Sequence, residues 1–256
     1  MDLNADLAEG FGAWRLGDDD ALLDVITSAN VACGFHAGDP TTMRRVCAGA
    51  AERGVAVGAQ VGYRDLAGFG RRRIEYAFED LRDDVLYQIG ALDGFCRVAG
   101  TRVRYVKPHG ALYNTAAADE AQAAAVVAAV VDYDRSLPVL CPPGSVLARL
   151  ATGAGLRAVA EGFADRGYQA SGALVPRTSP GALVKSPDEV AARAVRMAVE
   201  SSVRAVDGVE LRLPVESICV HGDTPGAVAL ARGVRAELER AGVVLGPFVQ
   251  APQDER

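Results

Sequence analysis

Long hydrophobic runs are missing from this 256-residue chain, although 50% of its residues are hydrophobic. No stretch approaches the roughly 18 apolar residues that a membrane-crossing helix needs. Paired cysteines are missing too. The five present (33, 47, 96, 141 and 219) are odd in number and form no CxxC pair, which argues against a disulfide framework or a zinc ribbon and leaves them as small core residues. A basic excess is absent: the net charge of −6 gives no electrostatic footprint for nucleic acid or an anionic membrane surface. Neither GxxxxGK[ST] nor GxGxxG occurs, so no recognisable phosphate loop is present, and no GxSxG nucleophile elbow is found. The first residues, MDLNAD, read as a strand and lack the basic and apolar regions of a signal peptide, so a soluble cytoplasmic protein is expected. Lysine is almost absent. Of 27 basic residues only Lys107 and Lys185 are lysine, and a lysine that persists in such a chain invites a chemical reason.

What is present alternates. Short β-branched or apolar runs at Met1–Asp6, Ser28–Cys33, Val55–Gln60, Val103–Lys107, Pro138–Cys141, Arg157–Glu161 and Ser217–Val220 are separated by stretches with helical spacing. Helices are expected from about Phe78 to Val98, Asp119 to Val131 and Pro187 to Ser201. Asp39 with Pro40, and Thr224 with Pro225, read as helix starts, and Gly54 and Gly242 as stops. Strand, helix, strand repeated along the chain requires parallel pairing with right-handed crossovers. Without a glycine-rich dinucleotide turn, a barrel is preferred to a doubly wound layer. One α/β domain over residues 1–256 is expected, with a long loop at Gly162–Arg177.

All three histidines follow strands: His36, His109 and His221. In a parallel barrel those positions share the rim where catalytic residues gather. Each has polar neighbours, His36 with Asp39, His109 with Lys107 and Asn114, His221 with Asp223 and Thr224. Asp6 and Glu161 end strands on the same rim, and Asp165 and Arg166 follow Glu161. A carboxylate sharing a pocket with an imidazole can act as a general base or a metal ligand. The plainer alternative for Glu161 and Asp165 is an ion pair with Arg166 or Arg177. Asp2 and Asp18–Asp20 read as surface charge or helix-start residues. Lys107 and His109 flank Pro108 and point to one side if the strand continues, so the ammonium can hold a carboxylate, phosphate or oxyanion. Arg64 and the GFGRRR run read either as solvated surface or as an anion or partner site.

The segments LNADLAEGFG, SANVACGFHAGDP, GYRDLAGFGRR, YQIGAL, VKPHGALYN, EGFADRGY, LVPR and VHGDTPGAV resemble, in order, those of the LamB/YcsF family of lactam-utilisation proteins. The resemblance implies an irregular seven-stranded (β/α) barrel related to the polysaccharide-deacetylase superfamily. It implies an ATP-dependent 5-oxoprolinase activity, with ATP as co-substrate, Mg²⁺ accompanying it, and partner subunits B and C. It leaves open self-association into a homo-oligomer. Within that chemistry Asp6 or His109 would be the base and Lys107, with Arg166 or Arg177, the anion clamp. His36 or His221 would transfer protons, oriented by Asp39 and Asp223, while Glu161 and Asp165 would contact substrate. In the related deacetylases an aspartate and two histidines hold a divalent metal, which implies Asp6 and His109 as ligands. Here Gln60 stands where the family usually has histidine, Val61 where it has proline, and Ala8 where it tends to have glycine. A stand-alone metal-dependent amidohydrolase or deacetylase for a small N-acylated substrate is the alternative activity, and a non-catalytic ligand-binding barrel a third reading.

Overall fold

The computed structural model describes residues 1–221 and 226–249. Along the chain the elements are β1 (Asp2–Leu7), α1 (Asp19–Leu23), β2 (Ser28–Ala32), α2 (Pro40–Arg53), β3 (Ala56–Val61) and α3 (Phe78–Val98). There follow β4 (Tyr105–Pro108), α4 (Gly110–Ala116), α5 (Glu120–Tyr133), β5 (Val139–Cys141), α6 (Val146–Gly153), β6 (Ala158–Phe163) and α7 (Pro187–Glu200). A hairpin of β7 (Ser202–Arg204) and β8 (Glu210–Arg212) precedes β9 (Ser217–Val220) and α8 (Ala227–Arg240). Strands β1 to β6 and β9 form a closed barrel of parallel pairs, β9 lying between β6 and β1. The seven expected strands are these seven, with boundaries shifted by up to two residues. Gly162 and Phe163 belong to β6, so the expected loop begins after them and runs on to α7.

Local chemistry sets the helix ends. Asp39 accepts from the N–H groups of Thr41 and Thr42, Pro40 starts α2, and Gly54 ends it in the left-handed region at φ 66°. Asp119 caps α5, Ser186 caps α7 and Asp18 caps α1. Thr224 and Pro225 lie outside the described residues.

Period-2 alternation gives β1 two different faces. Leu3, Ala5 and Leu7 join the main apolar core, while Asp2, Asn4 and Asp6 form a polar spine through the barrel. Asp2 is therefore not surface charge. It is 1% exposed and accepts from the hydroxyls of Ser28, Thr27 and Ser217. Burial pushes its carboxyl up, and those hydroxyls offset part of the rise. The five cysteines are free and buried, as expected. Among the described residues no helix is long and apolar enough to cross a membrane.

Ala8 adopts φ 58°, a conformation that costs an L residue about 1–2 kcal/mol and glycine almost nothing. Replacing Ala8 with glycine is expected to stabilise the chain by about 0.5–1 kcal/mol after the added unfolded-state entropy is counted. A thermal melt should register this as a rise of about 1–4 °C.

Candidate active site

A cleft opens at the C-terminal ends of the strands, lined by Asp6, Glu9, Lys107, His109, Arg177 and His221 among others. At its floor Lys107, 2% exposed, forms ion pairs with Asp6 Oδ1 at 3.0 Å and Glu161 Oε1 at 2.8 Å. Its ammonium also stands 5.3 Å above the Phe163 ring. Burial opposes the charge on Lys107, but the flanking Asp6 carboxylate, the Cys219 sulfur and Glu161 hold its pKa well above the usual lysine value. The two carboxyls diverge. Asp6 is desolvated, yet Lys107, His221 and His109 together keep it below the usual range, whereas burial dominates at Glu161 and pushes it up. One group suited to remain an anion and one suited to carry a proton thus share a single lysine.

Asp6 is fixed from below. Asn30 Nδ2 donates to Asp6 Oδ1 at 2.8 Å and to Asn4 Oδ1 at 2.6 Å, and the Tyr105 hydroxyl donates to Asn30 Oδ1 at 2.6 Å. Among the described residues the bonds that Asp6 accepts, from Asn30 and Lys107, both fall on Oδ1, so Oδ2 can take a ligand in the cleft.

His221 Nδ1 lies 2.7 Å from Asp165 Oδ2. A carboxylate accepts, so Nδ1 carries the proton and Nε2 is the working nitrogen. Burial pushes the Asp165 carboxyl up, but His221 and the neighbouring Arg166 more than reverse this and hold it low. Asp165 is thus the carboxylate that orients His221; Asp223, expected in that role, lies outside the described residues. Asp39 is committed elsewhere. Its carboxylate accepts from Gly12, Thr41 and Thr42 as the α2 cap, and His36 is held by Gln60 instead. The alternative pairing of Glu161 or Asp165 with Arg166 or Arg177 is not what forms, since these carboxylates face Lys107 and His221. Arg166 donates to the carbonyls of Ala182 and Val175, at 3.0 and 2.7 Å, and braces the loop after β6. Burial and the nearby Arg177 lower its pKa to about 10. Arg177 is exposed on the cleft wall. Of the arginine cluster, exposed Arg64 and Arg72 pair with the buried carboxylates of Asp84 and Asp65 and Arg73 pairs with exposed Glu75, while Arg71 reaches the cleft.

His36 and His109 stack with ring centroids 4.0 Å apart and planes 14° from parallel. Two glycines make the space: a Cβ on Gly62 would stand 2.5 Å from His36 Nδ1, and one on Gly70 would stand 3.0 Å from His109 Nδ1. His36 Nε2 meets Gln60 Oε1 at 3.1 Å. Burial, opposed by that contact, lowers the His36 pKa to about 4, and burial with the facing His36 lowers His109 well below the usual value. Glu9, His36 and His109 each offer a donor atom within 4.8 Å of the others. Two neutral imidazoles and a carboxylate suit a divalent transition metal, and both Nδ1 atoms are buried without a hydrogen-bond partner. Asp6, by contrast, is held by Lys107 and Asn30 and is not part of this group.

Unfolded histidine takes up a proton near pH 6.5, whereas buried His36 does so only near 4. The unfolded state therefore binds more protons through that window, and stability falls with the pH. For the metal-free chain we expect a loss of about 3 kcal/mol between pH 6.5 and 4 from His36 alone, readable as a steep fall in Tm that His36→Gln flattens.

A family model described as LamB/YcsF family matches residues 1–253. The chain belongs to the LamB/YcsF family. Its curated relatives include the 5-oxoprolinase A subunit of Nocardia farcinica, 59% identical over 97% of this chain and 99% of that protein. That of Streptomyces coelicolor is 60% identical, with the same shares covered. Among solved structures, the lactam utilization protein of Thermus thermophilus superposes with a TM-score of 0.92 at 45% identity, covering 97% of this chain and 99% of that one. The fold expected of this family is the one found, a closed barrel of seven parallel strands. Glu9 and the Asp165–His221 pairing are site features that the sequence reading missed, whereas Arg71 is the member of the GFGRRR run that lines the cleft. Glu9 carried only one signal, its place just beyond a strand end in the LNADLAEG run.

Proposed function

We propose that this chain is the A subunit of an ATP-dependent 5-oxoprolinase, which opens 5-oxo-L-proline to L-glutamate while ATP and water become ADP and phosphate. The observation that carries this reading is whole-length identity near 60% to proteins named as the A subunit of 5-oxoprolinase. A rim cleft holding a lysine between two unequal carboxyls supports it.

The lactam is unstrained and amide resonance protects its carbonyl, so ATP supplies the drive. Transfer of the γ-phosphoryl group to the lactam oxygen gives an imidate-like electrophile. Water then adds to the carbon, the C–N bond breaks to leave an acyl phosphate on the opened chain, and a second water cleaves that acyl phosphate to the glutamate carboxylate and free phosphate. Asp6, through Oδ2, takes the proton from water, and Lys107 stabilises the charge that builds on the lactam oxygen and its phosphoryl group. Glu161, pushed toward its protonated form, and His221, held by Asp165, return protons to the ring nitrogen. Arg177 binds the substrate carboxylate, and Arg166 keeps the loop that carries Arg177 in place. Glu9, His36 and His109 would hold a divalent ion, whose chemistry there is Lewis-acid polarisation of a carbonyl or phosphoryl oxygen. Mg²⁺ accompanies ATP as co-substrate, and subunits B and C complete the enzyme.

The test is release of glutamate and ADP from 5-oxo-L-proline and ATP by this chain alone and with B and C subunits of its source. Release in the full mixture supports the reading. No release, with the same partners active beside the corresponding chain of a relative, overturns it. The grouping of Glu9, His36 and His109 favours a second reading, a stand-alone metal-dependent amidohydrolase. That reading predicts hydrolysis of small N-acylated substrates without partners and its loss on chelation.

A further inference from the structure

Residues 62–77, between β3 and α3, include a segment around Phe69 and Gly70 that packs against the stacked imidazoles, and the reaction outlined above gives Phe69 no part. Asp65 knots the loop. Its buried carboxylate accepts from the N–H groups of Gly68 at 3.0 Å and Arg72 at 3.3 Å, and from the Arg72 guanidinium. Inside the knot two successive residues are left-handed, Phe69 at φ 55° and Gly70 at φ 65°. Glycine is at ease there, and at Gly70 a Cβ would also stand 2.8 Å from that of His36. Phenylalanine is not, and strain of this kind persists where the surroundings impose it and concentrates at working sites.

The strained residue aims a ring at three partners. Phe69 meets His109 at 5.4 Å and 82°, and His36 at 6.2 Å and 78°, both edge-on. The Arg71 guanidinium lies over its face, 4.8 Å from the centroid, and Arg71 lines the cleft. Edge-on aromatic contacts and a cation over a ring face are directional, so they fix orientation as well as position. A turn with glycine at position 69 would satisfy the backbone but would lose the edge-on contacts to the imidazoles and the ring beneath the guanidinium.

We propose that Phe69 is a positioning residue of the reaction, setting the His36–His109 stack and the Arg71 guanidinium at the cleft wall at the cost of its own left-handed backbone. The proposal rests on the cleft being the reaction site. Its test pairs Phe69→Leu, which keeps apolar bulk without a ring, with Phe69→Gly, which removes ring and strain together. In the complex with subunits B and C, kcat should fall about ten- to a hundredfold in both variants, while the Tm of the glycine variant is no lower than that of the leucine variant. A crystal structure of the leucine variant should show the His109 ring turned out of the stack. Wild-type kcat and KM within twofold in both variants, or an unchanged stack in the leucine variant, would overturn the proposal. If the wild-type complex itself releases no glutamate, the functional reading fails, and the variant structure still decides the positioning role.

Discussion

Replacing Lys107 with methionine should cut glutamate release about 10²–10³-fold and reverse the sign of the contribution that the carboxyls beside it make to the pH dependence of stability. The substitution keeps the volume of the stem but leaves Asp6 and Glu161 buried together without their cation. Removing one partner of a buried pair costs about 3–5 kcal/mol. In the wild type the depressed Asp6 pKa gives stability that is present above the unfolded value near 3.9 and is lost as the pH falls. Without the ammonium both carboxyls are raised by desolvation. A raised folded pKa gives stability that is present at low pH and lost as the pH rises through it. Urea unfolding at several pH values should therefore show the variant closest to wild type in acid and furthest from it near neutrality. Turnover should drop about 10²–10³-fold, the range for removing one preorganised charge-stabilising group. A variant with wild-type pH dependence would mean that Lys107 is not the counter-ion of these carboxyls.

The second large effect is expected at Asp165. Changing it to asparagine preserves shape but offers His221 an amide that can donate as well as accept, so the Nδ1–H tautomer is no longer enforced. We expect kcat to fall about 10²–10⁴-fold, the range attributable to a general acid–base group, with KM changed little. Stability should drop by only about 1–3 kcal/mol, since one buried hydrogen bond is involved. Steady-state kinetics beside a thermal melt separates the two. A kcat within twofold of wild type would remove His221 from proton transfer.

Period and punctuation made the barrel legible. Short β-branched runs, the Asp39–Pro40 cap and the Gly54 stop are signals within a few residues of one another, and the structure places them accordingly. The rim histidines were legible for the same reason, because a residue just beyond a strand inherits that strand's position. What depends on closure was not. Asp165 and His221 are 56 residues apart and meet because β6 pairs with β9, a neighbourhood that no local pattern reports. The hairpin of β7 and β8 has two three-residue strands, too short for alternation to register. Asp2 was misplaced by its charge, although period 2 from Asn4 and Asp6 already pointed it inward. At Asp39 the capping signal was sufficient by itself, and its proximity to His36 in sequence suggested a contact that the fold does not make.

The central claim is that the lactam binds in the cleft at the strand ends. A crystal structure of this chain with 5-oxo-L-proline tests that most directly. The ring is predicted to lie over Lys107, with its carbonyl carbon facing Asp6 Oδ2 and its carboxylate on Arg177. Substrate bound elsewhere on the molecule, with the cleft holding only solvent, would contradict it.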